Sequence, residues 1–458
     1  MVTVHPLADV EAALTRRGPS RMAPGLERIE ALLDALGNPQ RAYPTIHVAG
    51  TNGKTSTSRM IESLLRAHGL RTGRNTSPHL DSVAERIALD GEPISPQELV
   101  AVYREVAPCV DLIDALSASS GNSSAESSGD TVSYFEFVTA LAFAAFADAP
   151  VDAAVIEVGL GGRWDATNVI DSAIAVITPI DLDHQAILGD TIAEIAAEKA
   201  GIIAANSVVV CATQSLEALK PLLARAVAVD ASVAREGVEF GVRNRALAVG
   251  GQELTLQGLS GTYAEIFLPL YGAHQAQNAA VALAAVEAFF GAGSAKPLDA
   301  EVVREAFTQV SSPGRLELVR SSPAIIIDAA HNPHGLRATL VAVAESFRFR
   351  RLIAVFSPLI DKNVRGMLEL LEPAVEQIVV TQNSSPRAMN VDELAAAAVK
   401  IFGPDRVDVS PRLDDAISCA VRIAEEEEFT GGGVPLAGAG ILVTGSVVTA
   451  GDARRLLR

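Results

Sequence analysis

Aromatic side chains make up only 4% of these 458 residues, so the cores rest on Ala, Val, Leu and Ile, as in α/β proteins whose parallel strands are covered on both faces. Cysteine is as scarce. Cys109, Cys211 and Cys419 are odd in number, far apart and set among apolar residues, and they read as buried thiols in a reducing compartment rather than as disulfides or metal ligands. No apolar run reaches the ~18 uncharged residues of a membrane helix. Residues 1–20 carry His, Pro, Asp, Glu and Arg where a secretory signal would carry an apolar core, so a soluble cytoplasmic protein with no membrane partner is expected. Positive charge is short: 37 Lys+Arg against 55 Asp+Glu leave a net charge of −18, which argues against nucleic acid as a partner. Small anionic substrates stay open, because a local cluster such as Lys54, Lys199 and Arg315 outweighs a screened distant field at short range.

What the chain has in quantity is apolar sequence, 49% of it, and a length that suggests two or three domains. From Thr45 onward short apolar strands alternate with helical stretches, the pattern of βα units and a mainly parallel sheet. Strands are expected at 45–49, 151–158, 173–178 and 208–211, and helices at 55–68, 95–113, 133–147 and 191–200. Between Ser117 and Asp130 the chain is Ser, Gly, Asn and Glu with almost no apolar anchor, which reads as a mobile surface insertion without function. Residues 234–270 space single apolar residues among glycines, as in a small antiparallel patch. A second strand–helix alternation begins at Ala324. The expected domains are therefore 1–310 and 311–458, with the turn signal Ser311-Ser312-Pro313-Gly314 between them and Gly291 to Pro297 as the other possible boundary.

The stretch most suggestive of chemistry is Gly50-Thr51-Asn52-Gly53-Lys54-Thr55-Ser56, between an apolar strand and a helix. A glycine turn there aims backbone N–H groups and the helix dipole at one spot, which suits a phosphate. Lys54 would reach the terminal phosphates and the Thr55 hydroxyl would ligate the accompanying Mg²⁺. The strict pattern wants a glycine six residues before the lysine, where Val48 stands, so this is a variant loop. Glu157 ends the next apolar strand and is followed by the loop Gly159 to Asn168; at that position a carboxylate is either a Mg²⁺ ligand or a solvated strand end. His184 follows another strand and is either an ordinary hydrogen-bonding residue or part of a metal shell. Lys199, on an amphipathic helix, reads by itself as solvated. Asp328 and His331, in Asp328-Ala329-Ala330-His331-Asn332-Pro333, leave a strand just before a helix that Pro333 opens, and form a small polar constellation that specifies no reaction alone.

Together these strings resemble the folylpolyglutamate synthase family, including its bifunctional dihydrofolate synthase members, within the Mur ligase superfamily, and the resemblance spans essentially the whole chain. Gly50 to Thr55 matches the superfamily phosphate loop, while Thr76-Ser77-Pro78-His79-Leu80 and Gly159 to Asn168 belong more to the folate branch. Glu198-Lys199-Ala200-Gly201, His274-Gln275 through Asn278, Pro313-Gly314-Arg315 and Asp328 to Pro333 continue in the family order. The resemblance implies an N-terminal phosphate-loop domain with a mainly parallel sheet and a C-terminal Rossmann-like α/β domain, working as a monomeric ATP-dependent amide ligase. It further implies that Gly50 to Ser56, Asn278, Arg315 and Asp328 bind ATP from two sides of an interdomain cleft. Thr55, Ser77, Glu157 and His184 would hold two Mg²⁺ ions, Glu157 and His184 sharing one apart from that of Thr55. Thr76 to Leu80 would carry the pterin substrate, a monovalent cation would assist, and Lys54, Lys199, Asp328 and His331 would serve catalysis. Lys199 would be a carbamate, whose anionic oxygens suit Mg²⁺ where an ammonium would repel it.

The implied reaction converts a substrate carboxylate into an acyl phosphate at the expense of ATP. L-Glutamate then attacks it, extending a reduced folate or, in the bifunctional members, dihydropteroate. The rivals are a Mur-type ligase acting on a cell-wall precursor, which shares the phosphate loop, and a non-catalytic nucleotide-binding module, for which Glu157, His184, Asp328 and His331 would be surplus.

Overall fold

The computed structural model describes residues 7–18, 25–119, 131–291, 297–426 and 438–458. Most of the expected insertion, 120–130, lies outside them. Residues 117–119 do not begin a loop: they finish a helix, Pro96–Ser119, because the apolar spacing that starts it persists past Ile113. By contact density the chain forms two compact units. The first holds 1–244, 254–266 and 277–310, and the second holds 245–253, 267–276 and 311–458.

The first unit is organised by an eight-stranded sheet made of β1 (Thr45–Ala49), β2 (Thr72–Asn75), β3 (Ile87–Leu89), β4 (Glu92–Pro93), β5 (Ala153–Glu157), β6 (Ile174–Ile177), β7 (Val208–Cys211) and β8 (Ser232–Arg235). Their order is β4-β3-β2-β5-β1-β6-β7-β8. From β2 to β8 neighbours are parallel, and the antiparallel pairings are those that β3 makes with β2 and β4 at the edge. All five residues of both β1 and β5 are buried, Thr45, His47 and Glu157 along with their apolar neighbours: helices cover both faces, leaving no side to alternate toward water. One face packs on the helix Tyr134–Asp148, which starts with a reciprocal capping box between Ser133 and Glu136. The same face continues onto Ile192–Lys199, capped in the same way by Thr191 and Glu194, and onto Leu216–Ala228, while the opposite face turns Arg74 and Glu157 to the helix Lys54–Ala67.

The strands β9 (Gly241–Ala248), β10 (Gly251–Gln257) and β11 (Thr262–Leu268) make a small separate sheet, and connections of two and four residues allow only antiparallel pairing.

In the second unit β12 (Glu317–Ser321), β13 (Ala324–Ile327), β14 (Arg351–Phe356), β15 (Gln377–Gln382), β16 (Val407–Arg412) and β17 (Ala439–Thr444) form a sheet in the order β12-β13-β17-β14-β15-β16. It is parallel except for the β12–β13 hairpin. Its core of Ile, Leu, Val and three Phe or Met side chains, among them Ile326, Phe356, Met367 and Phe402, lies between this sheet and the helices on one face. Of the cysteines only Cys211 is buried; Cys109 and Cys419 are partly exposed. Both lie on amphipathic helices at positions next to the apolar stripe rather than in it. Among the described residues no helix is long and apolar enough to cross a membrane.

Candidate active site

β1 is flanked by β5 and β6, so the loop that leaves it, Gly50 to Gly53, emerges between two other strand exits. The loop depends on two glycines. Gly50 (φ +151°) lies so close to Thr178 that a Cβ would collide with it, and a Cβ on Gly53 (φ +89°) would sit 2.6 Å from Asn278 Oδ1. Asn278, buried on the helix Ala273–Phe289, is thereby placed against the turn. The loop is tied to the β6 exit: the Thr51 and Asn52 amides donate to Pro179 O at 2.9 and 3.3 Å, and the Thr51 hydroxyl donates to Asp181 O at 3.0 Å. Lys54 Nζ curls back to Gly50 O (3.2 Å) and Thr51 O (3.4 Å). Ser56 is buried in the first turn of the helix Lys54–Ala67.

Thr55 points sideways to β5. Its hydroxyl lies 3.0 Å from both carboxylate oxygens of Glu157, and the Ser77 amide donates to Glu157 Oε2 at 3.3 Å. Glu157 is 1% exposed, which removes the solvated-strand-end reading. Three of the four candidate metal ligands thus meet, and a buried carboxylate beside a hydroxyl is a hard oxygen set that fits Mg²⁺, which takes one or two carboxylates and completes its shell with phosphate and water. His184 follows β6 in a left-handed conformation, φ +52°, with Nε2 3.9 Å from Asp183 Oδ1. Among the described residues no three His, Cys, Asp or Glu side chains gather into a metal-binding group by themselves. In the segment Thr76 to Leu80, Thr76 is buried and Pro78 exposed. His79 Nδ1 accepts from Arg86 Nε at 2.8 Å, and Glu85 accepts from the Leu80 amide at 3.0 Å.

Lys199 is not a solvated helix residue. It is 4% exposed and its Nζ donates to Gly50 O at 2.8 Å, because the helix packs its last turn under the phosphate loop. Burial, and then the nearby Lys54 charge, bring the amine down to about pKa 7 against the pull of Asp183, Asp165 and Glu198. The loop after β5 is fitted to this helix: a Cβ on Gly162 would lie 2.8 Å from Glu198 O. Asp165 is the organiser that the sequence reading left without a role. Buried, with its carboxyl pushed above the usual range by desolvation, it accepts from the Leu160 amide (2.8 Å), the Thr167 amide (3.0 Å) and the Thr167 hydroxyl (2.6 Å). An Asp two residues before a hydrogen-bonding Thr in a glycine loop is an Asx-turn signal. Thr167 in turn meets His47 Nε2 at 2.9 Å; burial brings His47 down to about 3, so this imidazole is neutral and structural.

In the second unit Asp328 follows β13. Its carboxylate accepts from the Leu316 amide (3.0 Å), the Ala330 amide (2.9 Å) and the Thr339 hydroxyl (2.8 Å). Leu316 is buried at φ +47°, unfavourable for a residue with a Cβ, and the Asp328 bond is part of what holds it there and sets the turn carrying Arg315. His331 is partly exposed, its Nδ1 3.0 Å from Ala329 O. Asn332 caps the helix Pro333–Ser346 by accepting from the Gly335 amide at 2.8 Å. His274, quoted only as part of a motif, has Asp328, Arg315, Arg245 and His334 as charged or titratable neighbours. Its enclosed ring is brought down to about 4, chiefly by desolvation.

Two family models match the chain: the Mur ligase middle domain over residues 114–286 and the Mur ligase glutamate ligase domain over 314–446. A dihydrofolate synthase/folylpolyglutamate synthase of Mycobacterium tuberculosis is 54% identical over 98% of this chain and 93% of its own length. One of Bacillus subtilis is 35% identical over 82% and 85%. Among solved structures, the Mycobacterium tuberculosis folylpolyglutamate synthase complexed with ADP superposes with a TM-score of 0.91 at 53% identity over 98% of both chains. An FPGS complex with AMPPCP and folate gives 0.82 at 30% identity over 99% of both.

Proposed function

Because the chain belongs to the folylpolyglutamate synthase family of Mur-type ATP-dependent ligases, we infer that it joins L-glutamate to the carboxylate of a reduced folate and, in a second activity, to that of dihydropteroate, acting as a cytoplasmic monomer. The observation that carries this reading is the Thr55 hydroxyl on both oxygens of buried Glu157 at the mouth of the phosphate loop, in a chain whose relatives are named for these two activities.

A carboxylate is a poor electrophile at neutral pH, so its oxygen first takes the terminal phosphoryl group of ATP to give an acyl phosphate, releasing ADP. Amides of Gly50 to Ser56 cradle the phosphates, Asn278 lies against Gly53 for the nucleotide, and Lys54 exchanges its two carbonyl partners for phosphate oxygens, which are stronger charge-assisted acceptors. Bound Mg²⁺ ions, one held by Thr55 and another shared by Glu157 and His184, with Ser77 beside them, would neutralise charge on the transferred phosphoryl group. The glutamate amine then attacks the acyl carbon and phosphate leaves, the amine losing its proton on the way to the amide. Thr76 to Leu80 carries the pterin-bearing substrate, and Arg315, Asp328 and His331 of the second unit serve the nucleotide and the incoming glutamate. Lys199, with its amine near pKa 7, has the uncharged fraction needed to add CO₂ and become a carbamate, an anionic neighbour for the loop and the ions.

Phosphate release measured with ATP, Mg²⁺ and L-glutamate, using tetrahydrofolate, dihydropteroate and a cell-wall nucleotide precursor in turn, tests the assignment. Turnover with the two pterins supports it; turnover with the precursor alone transfers the chain to the cell-wall branch.

A further inference from the structure

Arg59 stands one helical turn beyond Thr55 on Lys54–Ala67, so both side chains occupy one helix face. That is the face on which Thr55 meets Glu157, and Glu157, Glu85 and Glu62 are the acids whose charges act on Arg59. Its two arginine neighbours in this region are engaged. Arg74 Nε donates to Glu62 Oε2 at 2.5 Å and its Nη1 to Thr76 Oγ1 at 3.2 Å; Arg86 donates to His79 and lies over the Tyr134 ring at 5.3 Å. The acids are engaged as well: Glu62 Oε1 accepts from the Gly91 amide, and the Glu85 oxygens accept from the amides of Leu80, Asp81 and Ser82. Arg59 alone makes no hydrogen bond or ion pair among the described residues. Its guanidinium is mostly enclosed, and that desolvation, followed by Arg74, brings it down to about 10. Five donors in a fixed fork left unmet in such a place are costly, and the partner that meets them best is a planar carboxylate held bidentately. An ATP phosphate is the poorer match, because Arg59 is about 6 Å along the helix axis from Thr55 and away from the loop.

A folate that already ends in glutamate brings two carboxylates, of which one is activated and the other keeps its charge throughout. A permanent cation suits the permanent anion, whereas the reacting oxygen needs groups that follow its changing charge. We propose that Arg59 binds the non-ligated carboxylate of the acyl substrate beside the Thr76 to Leu80 segment, making it a specificity-determining residue for substrates that already carry a glutamate. This rests on the folate-ligase reading above.

The test compares kcat/KM for tetrahydrofolate with that for its analogue in which the non-ligated carboxylate is an amide, in the wild type, Arg59→Gln and Arg59→Lys. The wild type is expected to prefer the acid by about 10- to 100-fold, Arg59→Gln to bring the ratio near one, and Arg59→Lys to fall between. A ratio in Arg59→Gln equal to that of the wild type overturns the proposal, as does an equal loss for acid and amide, which is what a mere counter-charge for the three glutamates would give. If Arg59→Gln does not melt cooperatively, Arg59→Lys decides, since an unchanged ratio there overturns the proposal too. Absence of any folate extension by the wild type refutes the function itself, a result separable from an unchanged ratio.

Discussion

Glu157 in the first unit and Asp328 in the second hold corresponding places, at the carboxyl end of a buried parallel strand, and both are nearly inaccessible, at 1% and 4% exposure. They differ in what holds them. Glu157 has the Thr55 hydroxyl at 3.0 Å from both its oxygens and only a longer bond, 3.3 Å, from the Ser77 amide; the hydroxyl is a donor that can rotate its proton away and offer a lone pair to a cation instead. Asp328 is fixed by the Leu316 and Ala330 amides as well as the Thr339 hydroxyl, and an amide in a turn has no lone pair to offer. The first carboxylate has a hydroxyl partner that a cation could replace, whereas the second also holds a strained turn in shape, a difference that the same sequence position, an acid after an apolar strand, does not show.

Substitutions at and around the two carboxylates separate their parts. The largest effect is expected from Lys54→Ala, which removes the cation the loop aims at phosphate: ligation with pteroate and folate alike should fall at least about a thousandfold, read as ATP-dependent product formation. Glu157→Gln keeps the shape and the Thr55 contact but loses the charge, so turnover should drop about 100-fold and recover in part at high Mg²⁺, with little change in denaturant midpoint. Asp328→Asn should lower both turnover and stability, the latter by about 1–3 kcal/mol; equal stability profiles for the two variants would erase the distinction. Lys199 adds a pH test. Its folded pKa of about 7 lies below the ordinary 10.5, so between those values the unfolded chain binds a proton that the folded one does not, and stability rises with pH across that window. In CO₂-free buffer the melting temperature should climb from pH 7 toward 10 in the wild type and climb less in Lys199→Met. The smallest effect belongs to Thr339→Val, which removes one neutral donor from Asp328 and should cost about 1 kcal/mol, measured by urea unfolding.

The parallel sheets, the phosphate loop and the strand exits carrying Glu157 and Asp328 were legible because each follows from a local pattern: an unbroken apolar run, a glycine turn, a helix start. Lys199 was not legible from local pattern, since its helix is amphipathic and only the packing of 192–199 under Gly50 buries it. Arg59 and Asp165 were missed as well. Each sits inside a recognised string, but Arg59 draws its importance from Glu85 and Glu157, far along the chain, whereas Asp165 bonds the nearby Leu160 and Thr167 in a turn that local pattern signals, and only its pull on Lys199 is remote. The turn at Arg315 shows the same limit, because nothing in Pro313-Gly314-Arg315 announces that Leu316 is held left-handed by an aspartate twelve residues on.

Transfer of oxygen-18 reaches the central claim most directly. Tetrahydrofolate labelled in the carboxylate to be ligated is incubated with the protein, ATP, Mg²⁺ and unlabelled L-glutamate, and the released phosphate and the glutamyl product are analysed by mass spectrometry. The account predicts a folate longer by one glutamate and one labelled oxygen in the phosphate for each amide formed. An extended folate accompanied by unlabelled phosphate would contradict the acyl-phosphate route, and no extended folate at all would contradict the assignment of this chain's activity.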